Sequence, residues 1–116
     1  MDARETYRRW LLQLWQGDEA ASDVLADDVV AHWPDREVQG REQLVALIEG
    51  TRAMFEELTF ELEVGPLVDG DLVAARWSGA GRTAGGEQSA FLGHDVLRLR
   101  DGRIAEYWVV SWTGPR

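Results

Sequence analysis

Apolar and polar residues alternate through most of the second half of the chain, and this period of two limits what the chain can fold into. Phe60, Leu62 and Val64 alternate with polar neighbours, and the pattern returns over residues 93–108 on both sides of Asp101-Gly102. Such alternation is typical of strands with one buried face, and Asp-Gly between two alternating runs is a strong hairpin signal. We predict an antiparallel sheet whose strands follow one another at 59–64, 72–78, 88–100 and 103–112. The glycine-rich segment 79–87 is expected to be a flexible loop or a long hairpin tip.

The first half of the chain follows a helical period. Tyr7, Trp10, Leu11, Leu14 and Trp15 share one helical face, which Gly17 ends. Asp18 is predicted to cap a short second helix that closes at residues 27–28, and residues 41–55 to form a third. Between them we expect a strand at 29–33 and a polar loop at 34–37. The order predicts one α+β domain over residues 1–116, with three helices packed on the concave face of a curved antiparallel sheet, a cone-shaped barrel.

Composition excludes several classes of partner. The net charge is −9, whereas nucleic acid and anionic membranes require a basic surface. The chain has no cysteine, and we identify no signal peptide and no apolar run of membrane-spanning length. The two histidines are 62 positions apart and the glycines do not form a phosphate loop, so we expect neither a metal nor a cofactor. A cytoplasmic protein is expected.

Asp95 is out of place in this pattern. It alternates in phase with Leu97 and Leu99, which puts a carboxyl group on the apolar face of its strand. Burial of an unpaired charge costs several kcal/mol and raises the pKa of a carboxyl group. Two interpretations follow: Asp95 faces a ligand as an acid or hydrogen-bond donor, or it is paired with an arginine or backbone amides and only shapes the wall.

The sequence resembles the nuclear transport factor 2-like superfamily, and within it the SnoaL-like polyketide cyclase group. The resemblance rests on "HWP" at 32–34, on Gly40, and on "GHDVLRLRDGRIAEYW" from residue 93. It implies a cone with an apolar pocket at one end. The family's activities range from isomerases, cyclases, dehydratases and epoxide hydrolases to non-catalytic binding modules, so the fold alone does not imply a reaction.

The resemblance also implies roles for particular residues. Asp95 falls where ketosteroid isomerase carries its protonated oxyanion-hole aspartic acid. The isomerase's base and its oxyanion-hole tyrosine fall at Trp33 and Trp10, and Val109 and Ser111 stand where cyclase-like relatives carry acids. An indole cannot abstract a proton, so we do not expect steroid-type isomerisation by that mechanism.

We therefore predict that the pocket acts on or binds a small hydrophobic, oxygenated molecule. Asp95 and His32 are the candidate catalytic residues of a lyase, isomerase, cyclase or hydrolase. Strand alternation turns either His32 or Trp33 inward. A non-catalytic binding module and a purely structural dimer module are the alternatives. The candidate ligand-binding residues are Tyr7, Trp10, Trp33, Leu97, Tyr107, Val109 and Ser111.

The opposite face of the last strand predicts an interface. Trp108, Val110 and Trp112 share this face, in phase with His94 and Arg98 on the neighbouring strand. Tryptophan together with arginine is typical of protein interfaces, and relatives in this superfamily often dimerise through the sheet. We predict a homodimer through the face that carries Trp108 and Trp112. The alternative is that the face assignment is inverted and these tryptophans line the pocket.

Overall fold

The computed structural model describes residues 2–113. Its helical elements are α1, a π-helical turn that continues it, a 3₁₀ helix and α2: Ala3–Arg9, Trp10–Leu14, Glu19–Val24 and Arg41–Ala53. Its six strands, β1 to β6, are Leu25–Trp33, Arg36–Gln39, Glu57–Asp69, Leu72–Arg82, Gln88–Arg100 and Arg103–Thr113. Within residues 2–113, no helix is both long enough and apolar enough to cross a membrane.

The predicted stop at Gly17 and the predicted cap at Asp18 are confirmed. Asp2 caps α1 by accepting the Glu5 amide at 2.8 Å, and Asp18 caps the 3₁₀ helix by accepting the Ala20 amide at 3.1 Å. Gly17, between the two helical segments, has a φ of 104°, a backbone conformation that favours glycine. The N-terminal helices therefore follow from local capping chemistry.

Three predicted boundaries are wrong. β1 begins at Leu25, so Asp27 and Asp28 lie inside a strand instead of closing a helix. Residues 36–39, expected to lie partly in a loop, form β2, which pairs antiparallel with β1. The first four residues of the glycine-rich segment, 79–82, belong to β4, and residues 83–87 form the hairpin connection to β5. Pairing with β6 extends the start of β1, whereas pairing across the short connections at 34–35 and 83–87 extends β2 and β4.

The sheet has the order β2-β1-β6-β5-β4-β3. Its neighbours are antiparallel except β1 and β6, which run parallel, so the sheet is mixed and not antiparallel throughout as predicted. It curves around the helices without closing into a barrel. The predicted α+β class is confirmed, with the helices on the concave face.

The core lies between the helices and the concave face of the sheet. It is built from aliphatic side chains and several large rings, among them Tyr7, Trp10, Leu14, Leu25, Val29, Leu44, Ile48, Val73, Leu97 and Ile104. The rings of Phe60, Phe55 and Trp77 lie against the bare backbone of Gly79, Gly81 and Gly93 in turn. Close approach of a ring to glycine backbone packs the interior densely at this end of the sheet.

Candidate functional site

Asp95 lies on β5 and points into the core. Its cross-strand neighbours are Ala75 on β4 and Val109 on β6. Because Leu97 and Gly93 share the same strand face, the carboxyl group is surrounded by the concave surface, and only 2% of the residue is exposed. The apolar phase read from the sequence therefore does place the acid inside the protein.

Four aromatic side chains from four elements hold this carboxyl group. The Tyr7 hydroxyl of α1 and the Trp10 indole N–H of the π-helical turn donate to Oδ2, at 2.8 and 3.4 Å. The Tyr107 hydroxyl of β6 and the Trp77 indole N–H of β4 donate to Oδ1, each at 2.9 Å. Tyr7 and Trp10 reach the same oxygen because residues three apart share one face of a helix.

Burial and hydrogen bonding act in opposite directions on Asp95. Removal from water raises the pKa of its carboxyl group, while the hydrogen bonds from Trp77, Tyr7, Tyr107 and Trp10 oppose that rise; the net direction is upward. The pKa values of Tyr7 and Tyr107 are also raised, first by burial and then by the adjacent Asp95 charge. The Asp95 carboxyl group and the two phenols therefore all lose their protons at higher pH than the same groups would in water.

The hydrogen bonds around Asp95 differ between its ionised and its protonated state. An ionised Asp95 accepts from all four partners. A protonated Asp95 carries one O–H, which it can donate to a phenol oxygen, whereas an indole N–H can only donate. A phenol that accepts from Asp95 has its own hydrogen released for another acceptor. Proton uptake thus converts an inward-directed phenol into an available donor.

Trp33 lies between this group and solvent. Its ring packs edge-on against Tyr107, with centroids 5.7 Å apart, and the Arg36 guanidinium lies 6.0 Å from its centroid on the surface. Trp10 also packs edge-on against Tyr107, at 4.8 Å. The choice left open by strand alternation is therefore decided: Trp33 faces the interior.

His32 lies on the opposite face of the sheet. Its Nε2 lies 2.7 Å from Glu106 and its Nδ1 3.2 Å from Glu37, and its ring stacks on Trp108 with centroids 5.6 Å apart. Consecutive residues of a strand point to opposite faces, so an inward Trp33 requires an outward His32. The structure does not bring His32 to Asp95.

Of the remaining residues predicted for the site, some lie beside Asp95 and one lies on the surface. Leu97 and Val109 are buried beside Asp95, with 0% and 5% exposure, whereas Ser111 is exposed near the end of β6. Sequence reasoning missed Trp77. Its signal was present, because Trp77 alternates in phase with Val73 and Ala75 and so belongs to the buried face of β4.

Two surface cavities formed by residues 2–113 lie away from this group. One, of about 790 Å³, is lined mainly by Thr59, Ala80, Arg82 and Gln88 at one end of the sheet. The other, of about 300 Å³, lies between α2 and the N-terminal helices. Neither includes Asp95 or its four donors. Within residues 2–113, no three histidine or acidic side chains are grouped to hold a metal ion.

A curved, open mixed sheet around N-terminal helices, with a buried acid on the concave face, defines the cone-shaped α+β class. The family model of the SnoaL-like domain matches residues 7–107. The chain therefore belongs to the SnoaL-like domain family. No sequence match was found among curated proteins.

Solved structures share this architecture. IdmH, a candidate polyketide cyclase from Streptomyces antibioticus, is 25% identical with a TM-score of 0.78, covering 92% of this chain and 89% of its own. A candidate polyketide cyclase from Bacillus cereus is 27% identical with a TM-score of 0.78, covering 91% and 71%. An NTF2-like protein of unknown function from an Exiguobacterium species is 19% identical with a TM-score of 0.79, covering 92% and 98%; that likeness concerns the fold alone.

Proposed function

We propose that this chain binds a small, largely apolar molecule bearing a carbonyl or hydroxyl oxygen, and that a phenol backed by Asp95 donates a hydrogen bond to that oxygen. The observation that carries the proposal is the buried carboxyl group shared by Tyr7 and Tyr107. A wholly structural acid does not require two phenols, since backbone amides or an arginine would satisfy it.

The aromatic surroundings support an apolar ligand. Trp33, Trp10 and Tyr107 form a contiguous set of rings, and Trp33 is the half-buried member that borders solvent. Displacement of the Trp33 ring would uncover the side of Tyr107 against which it packs. Leu97 and Val109 would supply the apolar walls on either side of Asp95.

Acid–base catalysis of the cyclase or isomerase type is the second candidate. It is favoured by the two relatives described as candidate polyketide cyclases. A hydrogen bond to a carbonyl oxygen stabilises the charge that develops there on enolisation. Such a reaction also needs a base, and His32 lies on the other face of the sheet. Binding is therefore the function that the geometry supports best.

The probe for this proposal is 2-naphthol, with naphthalene as its matched control without oxygen. Tryptophan fluorescence would follow both titrations. We expect 2-naphthol to bind more tightly, and loss of the donating phenol in Tyr7→Phe or Tyr107→Phe to reduce its affinity about 5–10-fold, which is the worth of one hydrogen bond. Equal affinities for the two probes, or a preference that survives both substitutions, would contradict the proposal.

We also propose that the chain forms a homodimer through the outer face of the sheet. Val110, Trp112 and Val96 are 56%, 45% and 38% exposed there. The Arg98 and Arg76 guanidinium groups lie over the rings of Trp108 and Trp112, at 5.8 and 5.9 Å. An apolar patch rimmed by both arginines and glutamates, such as Glu106, can pair with a second copy of itself across a two-fold axis.

A further inference from the structure

Gly93 and Trp77 face each other directly across β5 and β4. A Cβ atom at residue 93 would overlap the six-membered ring of the Trp77 indole, so the ring lies flat against the backbone where a side chain would otherwise stand. The atoms that a Cβ would meet all belong to the Trp77 ring, so the overlap is relieved only if that ring moves away from Asp95. Only glycine at residue 93 admits this position of Trp77.

From that position the indole reaches the next residue on the same strand face. Asp95 follows Gly93 by two residues, and the Trp77 Nε1–H donates to its Oδ1 at 2.9 Å. Phe60 packs edge-on against the Trp77 ring, with centroids 5.5 Å apart, and Trp77 is only 9% exposed. The indole is therefore confined between β5 and Phe60, and its N–H has a fixed direction.

The four hydrogen bonds to Asp95 are not equivalent. Oδ1 has two close donors, Trp77 and Tyr107, both at 2.9 Å. Oδ2 has one close donor, Tyr7 at 2.8 Å, and one distant donor, Trp10 at 3.4 Å. A carboxyl oxygen that takes a proton donates to its phenol and becomes a weaker acceptor for its indole. Oδ2 loses less by this than Oδ1, because its indole donor, Trp10, lies at 3.4 Å, whereas Trp77 lies 2.9 Å from Oδ1.

We propose that Trp77, admitted by Gly93, is a positioning residue that reserves Oδ1 of Asp95 as an acceptor, so that the proton is carried on Oδ2 and Tyr7 is the phenol released to donate to a ligand. The Oδ2–H then donates to the Tyr7 oxygen, and the Tyr7 O–H donates outward. Tyr107 and Trp77 continue to donate to Oδ1. The consequence for a ligand rests on the proposed function, but the state of Asp95 does not.

The first test therefore uses the unliganded protein. The pH titration of the Asp95 carboxyl carbon would be followed by NMR in the wild type and in Trp77→Phe, Trp10→Phe and Trp15→Phe. Loss of a hydrogen bond to the ionised carboxyl moves its titration to higher pH. We expect the largest upward displacement for Trp77→Phe, a smaller one for Trp10→Phe, and none for Trp15→Phe, whose ring packs on Trp10 at 5.8 Å. A Trp77→Phe titration no different from that of Trp15→Phe would overturn the proposal.

Gly93→Ala tests whether the absence of a side chain at residue 93 is what allows the Trp77 ring to reach Asp95. In the wild-type background it should displace the Trp77 ring and move the Asp95 titration as Trp77→Phe does, and in the Trp77→Phe background it should add nothing further. If the single Gly93→Ala variant does not fold, NMR of the Trp77 indole proton in the wild type provides the test. That proton should exchange with water far more slowly than the Trp112 indole proton and should shift as Asp95 titrates. A Trp77 indole proton that exchanges rapidly, and whose chemical shift does not change as Asp95 titrates, would refute the positioning role.

The second test addresses the released phenol. The preference for 2-naphthol over naphthalene should be lost in Tyr7→Phe and retained in Tyr107→Phe, and Trp77→Phe should reduce the difference between these two substitutions. The reverse order, with Tyr107→Phe losing the preference, would overturn the assignment of Tyr7. If the wild type binds neither probe, the proposed function fails, whereas the titration of Asp95 still decides the role of Trp77.

Discussion

The Tyr7 hydroxyl lies 2.8 Å from Oδ2 of Asp95, although 88 residues separate the two in the chain. This hydrogen bond joins α1 to the centre of the sheet inside an otherwise apolar core. The other donors to Asp95 come from the π-helical turn, β4 and β6. One carboxyl group thus links the N-terminal helical segment to three neighbouring strands, and its loss should affect the whole fold.

Substitution of Asp95 should be strongly destabilising. Asp95→Leu leaves two phenols and two indoles without an acceptor in the core, and we expect the free energy of unfolding to fall by about 3–5 kcal/mol. Asp95→Asn keeps one acceptor oxygen and should cost about 1–3 kcal/mol. Urea denaturation followed by circular dichroism measures both. Asp71→Asn, at an exposed pair with Arg98, is the control and should change stability by less than about 1 kcal/mol. An Asp95→Leu variant as stable as the wild type would show that the network contributes nothing to folding.

The buried phenols should resist ionisation until the protein unfolds. Tyr7 and Tyr107 are the two tyrosines of the chain, and both have pKa values raised above the ordinary 10.0. The folded state therefore holds more protons than the unfolded state above pH 10.0, and stability must fall as pH rises there. We expect the near-ultraviolet absorbance of tyrosinate to appear together with the loss of circular dichroism. Tyrosinate absorbance that appears at the ordinary pKa in a folded protein would contradict the burial of these hydroxyls.

The homodimer should depend on the exposed face of β6. Val110→Asp introduces a charge into the patch around Trp112, and we expect a dimer in the wild type to become a monomer in this variant. Sedimentation velocity at micromolar concentration measures the change. Met54→Asp is a matched control, since Met54 is 63% exposed at the end of α2 and away from the sheet face. A wild-type protein that sediments as a monomer at this concentration would remove the proposed interface.

Substitution of His32 should leave ligand binding unchanged. Its ring stacks on Trp108 and its nitrogens contact Glu37 and Glu106 on the outer face, so His32→Gln does not alter the surroundings of Asp95. We expect the affinity for 2-naphthol to equal that of the wild type. A large loss of affinity in His32→Gln, with the dimer intact, would place the histidine at the ligand after all.

Several features of this protein were determined by local sequence alone. The alternation around Asp101-Gly102 specified the last hairpin, Asp18 specified a helix start, and the phase of Asp95 with Leu97 placed an acid on the buried face. These features depend on residues close together in the chain, where the period of the side chains and the chemistry of caps and turns act directly.

The tertiary structure decided the rest. The parallel pairing of β1 with β6 joins residues about 75 positions apart, which no local period reports. The same pairing turns Trp33 inward and His32 outward. The partners of Asp95 come from four separate elements, and Trp77 joins them only because Gly93 lies opposite on the next strand. A sequence shows that a buried carboxyl group must find hydrogen-bond donors, but which donors reach it depends on how distant segments pack.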